Sequence, residues 1–524
     1  MKKIIPFSFI LLVLLSCNLP SPTFLAPSGN ASPTPDWAAT LRAAIPTETP
    51  VPVAEIPAET PAETAPAEST PAPGNPTPLP LTDNTPILYS SQAGDTLDSL
   101  AFRFSVGVDE IASPDPIPAA GFINPNQLFI IPNRLGNTTS TGKLLPDSEV
   151  VYTLSGIVGF DIQAYVAKQG GYLSSYREYL GSAGDLSGAE VVGKIALENS
   201  INPRLLLALL EYQSGWVLGQ PATKTQRDYP YGLIDPDRKE FIYQIKWAVN
   251  QLSIGYYDWR EGRMNEIKFK DGTAARLEPG LNAGTVALLY YFAQLYNSQD
   301  WLNATNPETG FPALYEAMFG NPWMRANSVE PLFPPGLKQP ILELPFMMNQ
   351  LWSYTGGPHG AWEKDGSWAA VDFSPARTES GCVDSSAYVT ASAAGLVVRS
   401  GSGVVVLDLD GDGFEQTGWV IVYLHIATPD RIQKGEWVET GDLLGHPSCE
   451  GGQATGTHVH MARKYNGEWM AADGAVPLVL TGWQVHAGAA PYKGTLTRDG
   501  ETITASTVGN FNSRITRDRY EGSQ

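Results

Sequence analysis

A break in composition near Pro86 sets the first limit on what this chain can fold into. From residue 18 to 86 the sequence is dominated by Pro, Thr, Ala and Glu, as in TETPVPVAEIPAETPAETAPAESTPAPGNPTPLP, with almost no bulky apolar residues. Such a stretch cannot bury enough surface to offset its chain entropy, so disorder is expected. Its prolines favour an extended, semi-rigid spacer. Folding is left to residues 87–524, which are too many for one core, so several domains are expected.

Ahead of the spacer, MKKIIPFSFILLVLLSC pairs a basic start at Lys2 and Lys3 with an apolar run from Ile4 to Leu15. This is a secretory pattern, too short to span a bilayer comfortably. It ends in Leu14-Leu15-Ser16-Cys17, which resembles a bacterial lipobox. The resemblance implies that residues 1–17 hold a lipoprotein signal, that Cys17 is lipidated, and that the exported protein is anchored to the membrane at its outer face. A formal net charge of −20 with only 17% charged residues argues against a nucleic-acid partner, which calls for basic patches. The two other cysteines, Cys382 and Cys449, form an even pair in an exported protein and suggest a disulfide; two separate thiols are the alternative, and zinc ligation is disfavoured because neither has a nearby partner at metal spacing.

In residues 87–135 a short strand precedes Gly94-Asp95-Thr96, which is turn and helix-cap chemistry. Leu97, Leu100, Ala101 and Phe104 follow at helical spacing, and Leu128–Ile131 reads as a closing strand before Pro132. The segment resembles a LysM module, a small βααβ domain that binds N-acetylglucosamine-containing glycans. The resemblance implies glycan contacts near Gly94, Asp95 and Thr96. The stretch SPDPIPAAGF departs from the usual second helix.

Residues 147–335 carry helical patterns, most clearly NPRLLLALLEYQSGWV and LNAGTVALLYYFAQLYNSQDWL. Pro203 is tolerated near a helix start. The segment resembles the lysozyme-like fold of lytic transglycosylases, in which a catalytic glutamate precedes a serine. Here Gln213 precedes Ser214, and glutamine cannot act as a general acid. Glu211 lies two residues earlier, about 200° away around a helix, and cannot simply substitute. The reading favoured for this region is a helical domain that binds glycan or positions its neighbours.

From residue 336 to 490 the pattern turns to short β-runs broken by glycine, such as GVVVLDL and GWVIVYLHIA, and predicts a largely antiparallel β domain. THVHMA places His458 and His460 at i and i+2, which share one face of a strand. Four elements occur in the order of the lysostaphin-type zinc metallopeptidases, which this region resembles: GGPHGAWEKDGSWAAVDFSP, VIVYLHI, KGEWVETGDLLGHPSCEGG and TGTHVHMA. The resemblance implies one zinc per chain held by His359, Asp372 and His460, with the fourth position left for water. It implies catalytic roles for His425 and His458, as proton acceptor and oxyanion stabiliser. The family usually has three residues between its first histidine and its aspartate; here twelve (360–371) lie between, read as a loop insertion. Asp365 is the rival ligand. Tyr423 either packs or lines the cleft, and His446 and His486 are read as structural.

DLDGDGFEQTGW carries Asp408, Asp410 and Asp412 at alternating positions, like the start of a calcium loop. Trp419 stands where such a loop needs its bidentate glutamate, so a solvated hairpin tip is favoured over a calcium site. No function is assigned to residues 491–524. The whole reads as a multidomain α+β lipoprotein with a LysM module, a lysozyme-like helical domain and a zinc peptidase domain. The resemblance implies an endopeptidase acting on the peptide stems or cross-bridges of peptidoglycan, held to wall glycan by LysM. The alternative is a non-catalytic peptidoglycan-binding, hydrolase-activating lipoprotein with a vestigial metal site.

Overall fold

The computed structural model describes residues 85–376 and 380–521, apart from the side chain of Ser182. The leader, Cys17 and nearly all of the spacer lie outside the described residues. The N-terminal module pairs β1 (Ile87–Ser90) antiparallel with β2 (Leu128–Ile131). Helix α1 (Leu97–Phe104) starts at Thr96, whose hydroxyl accepts from Ser99 N while the Ser99 hydroxyl accepts from Thr96 N. Leu100, Ala101 and Phe104 bury against Tyr89, Phe129 and Ile131. The expected second helix is only a 3-10 turn, Val108–Glu110, so the module is not a full βααβ unit. The prolines at 114, 116 and 118 explain this, since they lack the N–H that a further helix would need.

The central region is helical, as predicted. Its main helices are α2 (Gly188–Asn199), α3 (Pro203–Ser214), α4 (Phe241–Arg260) and α5 (Ala283–Leu295). Asn202 caps α3 through Arg204 N, Pro203 occupies its first turn, and Gly215 ends it in the left-handed conformation. Every residue from Pro203 to Leu210 is buried, so α3 is a central helix with no solvent face in its first two turns.

The C-terminal region is built on a nine-stranded antiparallel sheet. In chain order its labelled strands are β3 (Leu351–His359), β4 (Ala370–Pro375), β5 (Gly395–Gly401), β6 (Val404–Asp408), β7 (Trp419–Leu424), β8 (Trp437–Val438), β9 (Val459–Tyr465) and β10 (Arg514–Thr516). They lie in the order β8-β5-β6-β7-β9-β4-β3-β10, and Glu468–Trp469 pairs with β9 as the ninth. The pleat sends alternate residues to two cores. Val405, Leu407, Ile421, Tyr423, Val459 and Met461 pack on one side with Val371 and Phe373. Val404, Val406, Val420, Val422, Leu424 and Ala462 pack on the other, in the same core as the helices. Residues 491–521 do not stand apart as a tail. Gly494–Arg498 and Glu501–Thr504 belong to a small four-stranded sheet, and β10 pairs with β3 at the edge of the main one.

Among the described residues, module, helices and sheet pack as one compact unit. At their junction Arg260, 8% exposed, reaches Asp147 at 2.8 Å, Glu468 at 2.9 Å and the carbonyl of Ala93.

Candidate metal centre

Strand β4 lies between β3 and β9, with His460 directly opposite Asp372 and His359 opposite Ala370. Val371 and Phe373, like Val459 and Met461, point into the far core. Asp372 and His460 therefore project from the other face, toward the helices. Register shifts at Gly356 and before His359 re-aim the end of β3. A β-carbon on Gly356 would collide with the Asp372 carboxylate, so only glycine lets that carboxylate lie over β3.

The result is a convergence of three acceptor atoms. His359 Nε2 and His460 Nδ1 each lie 3.3 Å from Asp372 Oδ1, and the two nitrogens are 3.0 Å apart. The opposite nitrogens are committed: His359 Nδ1 donates to Gly357 O at 2.8 Å, and His460 Nε2 donates to Ala361 O at 3.0 Å. In the neutral tautomers that leaves two lone pairs and a carboxylate oxygen facing one another. Asp372 Oδ1 is buried and accepts no hydrogen bond. Such a set is unfavourable alone and fits a cation that prefers nitrogen and oxygen donors, as zinc does.

His425 and His458 flank this cluster. Their rings are 4.5 Å apart, and His458 Nε2 lies 3.7 Å from Asp372 Oδ1. His425 Nδ1 donates to Glu450 O and His458 Nδ1 to Gly456 O, each at 2.7 Å, so both keep Nε2 as an acceptor. His458 is the more open, with 17% of its side chain exposed. Burial, followed by the neighbouring His458 and His460 imidazoles, pushes His425 down to about 3, so it is neutral over the ordinary pH range. Burial works to raise Asp372, but His359 first, then His458 and His460, outweigh it and hold the carboxyl well below its usual value. Burial depresses His460, whereas for His359 the adjacent Asp372 overcomes burial and raises it.

The structure thus brings together all five residues expected at the site. Asp365 stays outside the cluster, accepting from Asn250 on α4. Tyr423 is fully buried and its hydroxyl accepts from Ser392 N, so it packs and does not line the cleft. His446 donates to Ala387 O, and His486 bonds Thr497; neither joins the cluster. Sequence reasoning missed Tyr492, whose ring stacks on His359 at 4.1 Å and which is 44% exposed. Its backbone is left-handed (φ 67°) and is tied to Gly357 and Pro358. No local pattern marks such a residue, because only chain return from the small sheet brings it there.

Cys382 and Cys449 are joined by a disulfide. It crosslinks two loops beside the site: Val383 bonds Thr457, next to His458, and Glu450 carries the carbonyl that orients His425. Asp408, Asp410 and Asp412 hold carboxylate oxygens within 4.8 Å of one another. These accept from the loop's own amides, including Gly413 N to Asp408 at 2.8 Å and Phe414 N to Asp412 at 2.8 Å. Of the residues expected to touch glycan, Asp95 is 1% exposed and bonded to Arg103 and Tyr89, Thr96 caps α1, and Gly94 lies against Arg260. In the helical region Glu211 accepts from Val217 N and Leu218 N, and Gln213 accepts from the Tyr296 hydroxyl.

The family model for the LasA N-terminal domain matches residues 143–332, almost the span of the helical region. Over 340 residues the chain is 28% identical to protease LasA of Pseudomonas aeruginosa, strain UCBPP-PA14, covering 60% of this chain and 72% of that protein. Protease LasA of strain PAO1 matches to the same extent. Among solved structures, the M23 metalloprotease pseudoalterin aligns over 32% of this chain and 96% of its own, at 22% identity and a TM-score of 0.28. The catalytic domain of lysostaphin from Staphylococcus simulans aligns over 24% and 90%, at 22% identity and a TM-score of 0.18. Among the described residues no helix is long and apolar enough to cross a membrane.

Proposed function

We propose that this chain is a zinc-dependent metalloendopeptidase of the lysostaphin type, cutting peptide stems or cross-bridges of peptidoglycan. The observation that carries the reading is the convergence of His359 Nε2, His460 Nδ1 and Asp372 Oδ1 within 3.3 Å of one another. Similarity to protease LasA supports a peptidase independently of that geometry. A zinc ion held by these three atoms would supply a Lewis acid that polarises the scissile carbonyl and acidifies a water. His425 and His458, each with Nδ1–H anchored to a backbone carbonyl, present Nε2 to the same space. One accepts the proton of the attacking water at Nε2 and passes it to the departing amine. Burial of all but His458 keeps bulk water from competing for these lone pairs.

The test measures zinc in the purified chain and peptidoglycan digestion by mass spectrometry, for the native protein and for His460→Ala. About one zinc per chain and new peptide termini, both lost in the variant, are expected. No zinc and no cleavage in the native protein would overturn the reading in favour of a binding protein. Two separable elements accompany it. Lipid attachment at Cys17 predicts acyl labelling that Cys17→Ser abolishes. Glycan retention through residues 87–135 predicts sedimentation with insoluble peptidoglycan when zinc is chelated, through groups other than the buried Asp95 carboxylate.

A further inference from the structure

The twelve residues between His359 and Asp372 are longer than a plain turn requires, and their contacts assign them a task. We propose that the helical region positions the ligand His460 through the loop formed by residues 360–369, an inference that rests on the metal reading above. Ala361 O in this loop accepts the Nε2 proton of His460 at 3.0 Å. That bond selects the tautomer whose Nδ1 lone pair faces Asp372 and His359. The loop is locked on itself, because Ala361 N donates to Ser367 O at 3.1 Å and a β-carbon on Gly360 would collide with the Glu363 carbonyl.

What holds the loop comes mostly from α4 and the residues just after it. Asn250 Nδ2 donates to Asp365 at 3.3 Å, and Lys246 pairs with Glu363 at 3.4 Å. The Ser367 hydroxyl donates to Glu261 at 3.2 Å. Arg263 Nη2 donates to Gly366 O at 3.0 Å, and its guanidinium lies 5.4 Å from the Trp368 ring. Gly366, at φ 96°, rests against Ser253 of α4, where any side chain would crowd it. Ala361 and Ala369 belong to the core of the helices, whereas Val371 and Phe373 just beyond belong to the opposite core. From the sheet region the loop receives Ala472 N on Trp368 O at 2.9 Å. The carbonyl that orients a metal ligand is thus fixed chiefly by a different region of the chain, and Lys246, Asn250 and Arg263 are positioning residues.

The experiment compares zinc Kd, by chelator competition, in the full chain and in the Lys246→Ala/Asn250→Ala/Arg263→Ala variant, none of whose positions touches the metal set. The cobalt(II)-substituted absorption spectrum is the second readout, since a merely structural role would leave it unchanged. Loss of an outer partner of a metal-bound histidine typically weakens binding by about tenfold to a hundredfold, and roughly tenfold with an altered cobalt spectrum is expected here. Arg263→Lys, which keeps a donor, restores part of the affinity relative to Arg263→Ala. A folded triple variant with native zinc affinity and native cobalt spectrum overturns the proposal while leaving the metal centre intact. If the triple variant does not fold, the Lys246→Ala/Asn250→Ala pair decides by the same criterion. A native chain that binds no zinc overturns the metal reading and this inference together.

Discussion

Each of the four site imidazoles spends one nitrogen on a backbone carbonyl and offers the other to the site. Side chains alone would not achieve this, because a free histidine exchanges tautomers. The same economy governs Gly356, where the missing β-carbon is the space occupied by the Asp372 carboxylate. Gly356→Ala is expected to turn that carboxylate away and weaken zinc binding by about tenfold or more, read by chelator competition. Asp408 supplies a different test. Burial, only partly relieved by the Gly413 amide and reinforced by Asp410 and Asp412, pushes it up to about 7. The folded state therefore holds a proton that the unfolded chain has released, and stability falls as pH rises from the ordinary aspartate range to about 7. Asp408→Asn keeps an oxygen for Gly413 N and removes the charge. Its melting temperature is expected to exceed the native value at pH 8, with the gain fading by pH 4. Millimolar calcium that raises the native melting temperature at pH 8, but not the variant's, would show the three aspartates binding an ion; no shift would leave Asp410 and Asp412 a solvated hairpin tip beside a buried Asp408.

At the level of elements, the metal centre follows from strand register. His458 and His460 were legible as one face of a strand because period two survives in any sheet, and β9 begins at Val459 between them. Asp372 was legible through the apolar run around it, now strand β4. The supports of these residues were not. Ala361 O, Glu450 O and Gly357 O are backbone atoms, which every sequence possesses, so no residue type marks them. Tyr492 was hidden for a related reason: its place over His359 depends on a sheet formed well after the motif. The second helix of the N-terminal module was expected from a family pattern, yet its prolines argued against it from the start. The disulfide ties the element that holds His425, its cysteines lying 67 positions apart in the sequence. Replacing both with serine is expected to cost about 4 kcal/mol by loop-closure entropy. It should also lower turnover more than zinc content, since Glu450 O orients a histidine outside the ligand set. Equal losses of zinc and turnover would show instead that the crosslink supports the ligands themselves.

Across the whole molecule, one buried arginine joins what the sequence divides into three regions. Arg260 ends α4, bonds Ala93 O of the N-terminal module, pairs with Asp147 of the helical region and with Glu468 of the sheet, and shares the Tyr256 hydroxyl. Stacking of Phe122 on Phe333 adds a second seam from the module, with ring centroids 4.6 Å apart. Regions tied through a shared charge network, with one core common to helices and sheet, should not melt one by one. A single calorimetric transition is expected for the folded part, and a separate early transition for the module would show that these seams are weak. Removing one member of a buried pair leaves its partner charged and uncompensated, which typically costs about 3–5 kcal/mol. Arg260→Ala is expected to fall in that range at neutral pH. Asp147 retains other donors in Asn282 and Gly284 N, so Glu468 bears most of the loss. Burial already raises Glu468, with Arg260 the main group opposing it. Without the arginine the carboxyl rises further, and protonation relieves the buried charge. The cost of Arg260→Ala should therefore shrink as pH falls from neutral, and Arg260→Ala/Glu468→Gln should recover part of the stability at pH 7. A cost that is independent of pH and unrelieved by the second substitution would mean that Arg260 acts by filling space rather than by charge.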